Sequence, residues 1–276
     1  MKKILEKMSY QIRSKQFWLL PSRAVRKYYR QTPVMQFPEG VKRILGRNHP
    51  RLDPLILTRS KLFTTNQGAD GRQLISISDH YSSEHEIRED PVPYIAFARA
   101  IEQSGVLQDM QSVLDLGCAT GRLLEELKNN CDSTETKKFS GVDFFSYHGS
   151  SEFFPKGVKF YSADLRLKID KTIEPADLVI CTETGEHIDP ASIDIFLQNL
   201  AFLAKRRLVL TWSGTYPPRG APPQHLCALK TRQVHLLLRS YGFQFISSKT
   251  RRLKKVLNRE NASPWWFESL SVWSAR

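Results

Sequence analysis

The run Val113-Leu114-Asp115-Leu116-Gly117-Cys118-Ala119-Thr120-Gly121 carries an apolar stretch through an acid into a glycine turn, and Arg122-Leu123-Leu124-Glu125-Glu126-Leu127 leaves that turn with helical apolar spacing. Gly117 and Gly121 lack Cβ atoms, so the backbone can turn sharply and a ligand can come close to it. A strand, a tight turn and a helix start at the C-terminal edge of a parallel sheet is where α/β folds bind nucleotides. The spacing is neither G-x-G-x-x-G nor a P-loop, because no Gly-Lys-Ser/Thr follows. Asp143 closes the next apolar run, 26 positions after Gly117. A carboxylate there can accept hydrogen bonds from both ribose hydroxyls of a nucleoside. Glu183, Glu186 and His187 follow a later apolar run, and His225 lies in a loop on the same rim. If the chain turns helical at 183–187, positions i, i+3 and i+4 converge on one face. Neutral imidazoles titrate near pH 7, which makes His187 and His225 candidate general bases. Two carboxylates and two imidazoles can also hold a divalent cation.

Alternating elements must position these groups. From Pro93 the periodicity predicts helices over 94–103, 121–130, 190–204 and 231–241. It predicts strands at 112–116, 139–144, 158–163, 177–182, 207–212, 243–247 and 270–274. Gly242 is the expected C-cap of the 231–241 helix. Strands alternating with helices imply a largely parallel sheet with right-handed crossovers. Residues 1–75 read as a basic, aromatic-containing N-terminal extension. Within it Ile4, Leu5, Met8 and Ile12 fall at helical spacing, while Pro33, Pro38, Pro50 and Pro54 predict an irregular 31–60. Residues 64–80 read as a polar connection.

With 41% apolar residues in 276, the chain can fill one substantial core and carry an extension. No apolar run reaches the length of a membrane-spanning helix, and Glu6, Lys7, Arg13 and Lys15 interrupt any signal-peptide core, so a cytoplasmic protein is expected. Four cysteines without C-x-x-C spacing argue for reduced thiols over a zinc or redox site. The formal net charge is +13, and residues 1–62 hold 15 Lys/Arg against 3 Asp/Glu. That asymmetry points to an acidic partner: anionic lipid headgroups at a membrane surface, RNA or an acidic glycan. Lys249, Arg251, Arg252, Lys254, Lys255 and Arg259 form a second basic cluster between the last two predicted strands. It can contact phosphate groups, or it can be a solvated hairpin.

The glycine turn resembles the first motif of the class I S-adenosylmethionine-dependent methyltransferases. Asp177–Ile188 is similar to that family's fourth-strand motif, an acidic-hydrophobic strand followed by Glu-His. Ser162-Ala163-Asp164-Leu165 matches the place where the family's Asp accepts from the adenine amino group. The matches hold in order over residues 90–276. The resemblance implies an α/β, Rossmann-like methyltransferase domain over 76–276, with a mostly parallel seven-stranded sheet and helices on both faces. It implies S-adenosylmethionine as cofactor and S-adenosylhomocysteine as product. The implied cofactor contacts come from Asp115, Gly117, Cys118, Ala119 and Gly121 in the turn, and from Asp143 and Phe144 after the second strand. Asp164 and Leu165 would follow the third strand, Thr182 and Glu183 the fourth. The chain lacks the Asn/Asp-Pro-Pro-Tyr motif of amino-group nucleic-acid methylases and the Pro-Cys motif of cytosine C5 methylases, which counts against both activities.

The implied reaction moves a methyl group from a sulfonium to a nucleophile by in-line displacement, so alignment and exclusion of water are the protein's main tasks. A hydroxyl acceptor also has to lose a proton. The expected acceptor is a hydroxyl on a small molecule or glycan, with His225 as base or orienting residue, Glu186 and His187 in support, and no resident metal. The Pro/Gly-rich stretch from Trp212 to His225 is the expected substrate-side loop. Tyr241-Gly242-Phe243 and Trp265-Trp266-Phe267 resemble endings of small methyltransferases from glycan and secondary-metabolite pathways. One alternative is an RNA 2′-O-methyltransferase, because Glu-x-x-Glu-His plus a later His resembles the metal site of small-RNA 3′-terminal 2′-O-methyltransferases. A second is a non-catalytic scaffold built on a methyltransferase fold.

Overall fold

The central strands read as unbroken apolar runs because both of their faces are covered. The computed structural model describes residues 37–46, 65–67, 73–75, 92–130, 137–144, 154–214, 225–260 and 267–276. Strands β3 (Ser112–Leu116), β4 (Lys138–Asp143), β5 (Lys159–Ser162), β6 (Ala176–Cys181), β7 (Ala204–Leu210), β8 (Gln244–Phe245) and β9 (Ser271–Ser274) form one sheet in the order β5-β4-β3-β6-β7-β9-β8. All neighbours from β5 to β7 are parallel, and β9 runs antiparallel between β7 and β8. The chain builds outward from β3 to β5, then returns to lay β6 against the other side of β3. The strand order therefore reverses at β3/β6, which is where open α/β sheets bind their ligands.

Successive residues of β6 serve opposite layers. Val179 and Cys181 enter one core with Leu114, Leu116 and Leu210; Leu178 and Ile180 enter the other with Val113 and Val209. The second layer is closed by α2 (Val92–Gln103), α3 (Arg122–Asn130) and α6 (Ser247–Arg259), through Phe97, Ile101, Leu124, Leu127, Leu253 and Leu257. The first is closed by α1 (Glu39–Leu45), α4 (Ile193–Leu203) and α5 (Thr231–Ser240), through Val41, Leu45, Phe196, Leu200, Leu237 and Leu238. Helices thus lie on both faces, as the sequence implied. Helix α5 ends in the expected way: Gly242 takes φ 93°, and Phe243 N donates to Leu238 O at 3.1 Å.

Three segments differ from the sequence reading. Within the proline-flanked 31–60 stretch the chain forms α1, and Pro38 begins that helix instead of breaking it. A proline at a helix start forfeits no intrahelical hydrogen bond. Val41 and Leu45, one turn apart, then bury against α4 and α5 together with Phe37. Residues 65–67 and 73–75, inside the expected polar connection, pair as antiparallel β1 (Thr65–Gln67) and β2 (Gln73–Ile75). The basic cluster after β8 is helix α6, not a hairpin, because Thr250, Leu253, Val256 and Leu257 supply a buried stripe at helical spacing. The predicted helix around Ile4 to Ile12, Cys131 and the Trp265-Trp266 pair lie outside the described residues.

Candidate active site

The site is assembled where β3, β4, β6 and β7 end. The glycine turn after β3 folds back on β4: Gly117 N and Cys118 N both donate to Val142 O, at 2.8 and 3.2 Å. Gly117 and Gly121 have φ 78° and 77°, the left-handed region that Cβ-bearing residues avoid. Their bare Cα atoms are also needed by the protein's own packing. A Cβ on Gly117 would run into the Thr184 side chain, and one on Gly121 would stand 2.6 Å from the Phe154 ring. Ala119, between them, is also left-handed at φ 45°, and its N–H donates to Asp143 Oδ2 at 2.9 Å. The carboxylate at the end of β4 therefore braces the turn at the end of β3.

Asp115 is 3% exposed, and its Oδ1 has no hydrogen-bond partner among the described residues. Burial, and then the nearby Asp143 charge, raise its pKa to about 8. Phe144, directly after Asp143, is 44% exposed. Asp164 is not open in the same way. Arg166 grips it as a fork, with Nε 3.0 Å from Oδ1 and Nη2 2.8 Å from Oδ2. Asn199 of α4 holds the segment behind that pair. Its Nδ2 donates to Leu165 O and Leu167 O at 3.1 and 2.8 Å, and its Oδ1 accepts from Ile169 N at 3.1 Å.

The turn after β6 brings the remaining candidates together. Thr184 Oγ1 reaches Leu116 O at 3.2 Å, which seats this turn against the glycine turn. Glu183 has φ 50°, and two bonds hold it there: its N–H donates to Thr211 Oγ1 at 2.8 Å, and its Oε1 accepts from that hydroxyl at 3.0 Å. A non-glycine residue in this region is strained, and strain concentrates at working sites. A single 3-10 turn, Gly185–His187, carries Glu186 and His187. Glu186 O then accepts from Leu226 N and Cys227 N at 2.7 and 2.8 Å. Those two bonds deliver His225 to His187, with ring centroids 5.1 Å apart and planes 89° to each other. Trp212 locks the arrangement from below. Its Nε1 donates to Cys227 O at 2.7 Å, and its ring fills the space where a Gly185 side chain would be.

Glu186 is wholly buried; among the described residues neither carboxylate oxygen makes a hydrogen bond of regular geometry, and the Glu183 carboxyl and the Ser213 backbone are its polar neighbours. Burial first, and Glu183 second, push its pKa well above the usual carboxylate range. Ligand atoms of Glu186, His187 and His225 all lie within 4.8 Å of one another. Glu183, turned toward Thr211, is not in that trio. Cys118, Cys181 and Cys227 are free and buried, and burial raises their thiol pKa values, which disfavours the nucleophilic thiolate. Sequence reasoning missed Thr211, Thr184, Arg166 and Asn199. Thr184 follows a predicted strand and Thr211 lies near the end of another, so both could have been flagged by position. Asn199 sits mid-helix on an apolar face, and a buried polar residue there is the only signal it gives.

No family model matches the chain, and no curated sequence matches it. Solved structures do. The plantazolicin methyltransferase BpumL in complex with SAH is 13% identical over 70% of this chain and 88% of that one, at a TM-score of 0.50. The same enzyme with a triazolic desmethylPZN analog and SAH gives 15% over 70% and 89%, again at 0.50. The methyltransferase domain of bacterial CtHen1-C gives 17% over 66% and 98%, at 0.43. The protein thus has the fold of the class I S-adenosylmethionine-dependent methyltransferases, with its switch point between β3 and β6. At such identities the likeness concerns the fold, and function has to be argued from the site.

Proposed function

We propose that the protein is an S-adenosylmethionine-dependent methyltransferase that methylates a hydroxyl on a small molecule or glycan. The observation that carries this reading is the meeting of Glu186, His187 and His225 on a turn seated against the glycine turn. The residues present suit the cofactor. Asp115 offers a buried oxygen without a hydrogen-bond partner among the described residues, Asp143 closes β4 beside it, and Phe144, 44% exposed, follows directly. When bound, S-adenosylmethionine supplies a methyl group on an already activated sulfonium. The chain has to orient the acceptor, exclude water and take a proton. His225 takes the proton of the acceptor hydroxyl, and His187 edge-on to it fixes the ring. Glu186, through its carbonyl, fixes the backbone that bears His225.

A second reading rests on the same trio. One buried carboxylate and two imidazoles with ligand atoms within 4.8 Å of one another make a donor set suited to a divalent cation. A cation held by Glu186, His187 and His225 would acidify a coordinated hydroxyl. This is the RNA 2′-O-methyltransferase alternative with three of its four expected ligands. Transfer of labelled methyl from S-adenosylmethionine into a fractionated host extract, with and without chelator, separates the two. Label in a glycan or small-molecule fraction that survives chelation supports the first reading. Label in RNA that disappears with chelator and returns with a divalent cation supports the second. No label in any fraction, from protein that binds the cofactor, overturns both.

A further inference from the structure

Helix α6 carries six Lys/Arg and no Asp/Glu along SSKTRRLKKVLNR. Arg251 and Lys255, Lys255 and Arg259, and Lys249 and Arg252 are one-turn neighbours, so like charges stack along the helix and repel. Two of the six are used internally. Lys249 donates to Gly105 O at 2.8 Å, and Lys254 donates to Glu268 O at 2.9 Å while lying over the Phe267 ring. Burial and the Arg207 and Arg252 charges lower the Lys249 pKa, a mark of how closely the cations crowd. Arg251, Arg252, Lys255 and Arg259 are exposed, and no carboxylate among the described residues pairs with them. A helix that accepts this repulsion without internal compensation is built to meet an anion.

Shallow grooves flank the ridge these side chains form. One lies against Gln103 of α2; the other is lined by Lys254, Lys255, Asn258, Arg259 and Phe267. The second ends on Phe267. From Phe267 a single turn reaches Ser269, whose Oγ accepts from Trp212 N at 3.1 Å, and Trp212 follows the Thr211 that holds Glu183. The apolar stripe of α6 is buried in the core. An interfacial helix needs that stripe free to enter a bilayer, so α6 has nothing to insert. Arginine forks in a groove with an aromatic edge are instead the equipment that tracks a single-stranded phosphodiester backbone.

We propose that the α6 face is a docking surface for single-stranded RNA, holding its phosphates along Arg251, Lys255 and Arg259. This docking does not depend on the methyl-transfer reading, and its test contains no methyl donor, so the two fail separately. The probe is a fluorescent single-stranded RNA oligonucleotide, bound to the full chain at a series of salt concentrations. The face variant is R251Q/K255Q/R259Q. The control is K138Q/K205Q/R232Q, which removes the same charge from exposed positions on β4, β7 and α5. Unchanged thermal melting establishes that both variants fold. The expected result is at least tenfold weaker binding for the face variant alone, with the slope of log K against log salt shallower by about 2. Equal effects of the two variants, or none from either, would overturn the proposal. So would RNA binding that persists while the face variant is released from phosphatidylglycerol vesicles, because the face would then serve a lipid surface.

Discussion

Asp115 within β3 and Asp143 at the end of β4 are close enough for the Asp143 charge to raise the Asp115 pKa, and they do different work. Asp143 has one oxygen committed to Ala119 N, which keeps the turn shaped while the carboxylate stays at the rim. Asp143→Ala should therefore weaken S-adenosylmethionine binding by about 1.5–3 kcal/mol, the scale of charged hydrogen bonds. Calorimetry that finds the affinity unchanged would remove Asp143 from the ribose role. Asp115 has the opposite problem, because burial raises its pKa from 3.8 to about 8. Between those values the folded chain keeps a proton that the unfolded chain has lost. Stability contributed at this residue therefore falls as pH rises from about 4 to about 8, and is level outside that window. Asp115→Asn mimics the protonated form and should flatten the dependence. Urea titrations of the two proteins at several pH values measure this, and parallel curves would show that Asp115 is ionised in the fold. Neither residue's partner could be read from the sequence. The motif places both acids at strand ends, but their coupling follows from β3 and β4 being adjacent and in register.

Elements transmit order into the site through a few backbone bonds. Asn199 lies on α4 yet holds three backbone groups of the segment after β5. Asn199→Leu leaves those groups buried without partners and should cost roughly 3 kcal/mol, with weaker cofactor binding because Asp164 and Leu165 lose their support. A melting temperature equal to that of the parent protein would show that water replaces the amide. Gly185 plays the equivalent part after β6. Gly185→Ala would push its methyl into the Trp212 ring, shifting the indole that holds Cys227 O and hence His225. Turnover should fall at least tenfold while cofactor affinity stays nearly the same; loss of cofactor binding instead would make the Trp212 contact a general structural one. The strands were legible because apolar runs bounded by turns leave little ambiguity, and the motif order placed the glycine turn and the Glu-His pair correctly. Helix α6 was not, since six bases obscure a stripe of only four buried residues. The sequence put His225 on the same rim as His187, but not the contact between their rings, because that depends on which N–H groups the Glu186 carbonyl accepts.

At the scale of the molecule, the charge divides into structural and outward-facing parts. Arg207 donates to Val106 O and Gln108 O at 2.8 and 3.0 Å, Lys137 to Met110 O at 2.8 Å, and Arg206 to Asp109 O. With Lys249 on Gly105 O, these cations satisfy the carbonyls of the loop that joins α2 to β3. Part of the basic excess thus closes the lower edge of the sheet and is not available to a partner. Among the described residues of the N-terminal region, Phe37, Val41 and Leu45 are at most 4% exposed and belong to the same core as Phe196 and Leu237. Residues 1–36 hold nine Lys/Arg and one Asp/Glu. Two truncations separate the roles. Removing residues 1–36 takes away charge and leaves α1; a melting temperature that holds assigns the folding contribution of this region to α1. Removing residues 1–46 also strips three buried side chains and uncovers the α4/α5 surface, which should cost roughly 5 kcal/mol. Thermal melts of the two proteins decide it. If both melt with the parent, α1 adds nothing to the core; if both fall together, residues 1–36 carry folding energy as well as charge.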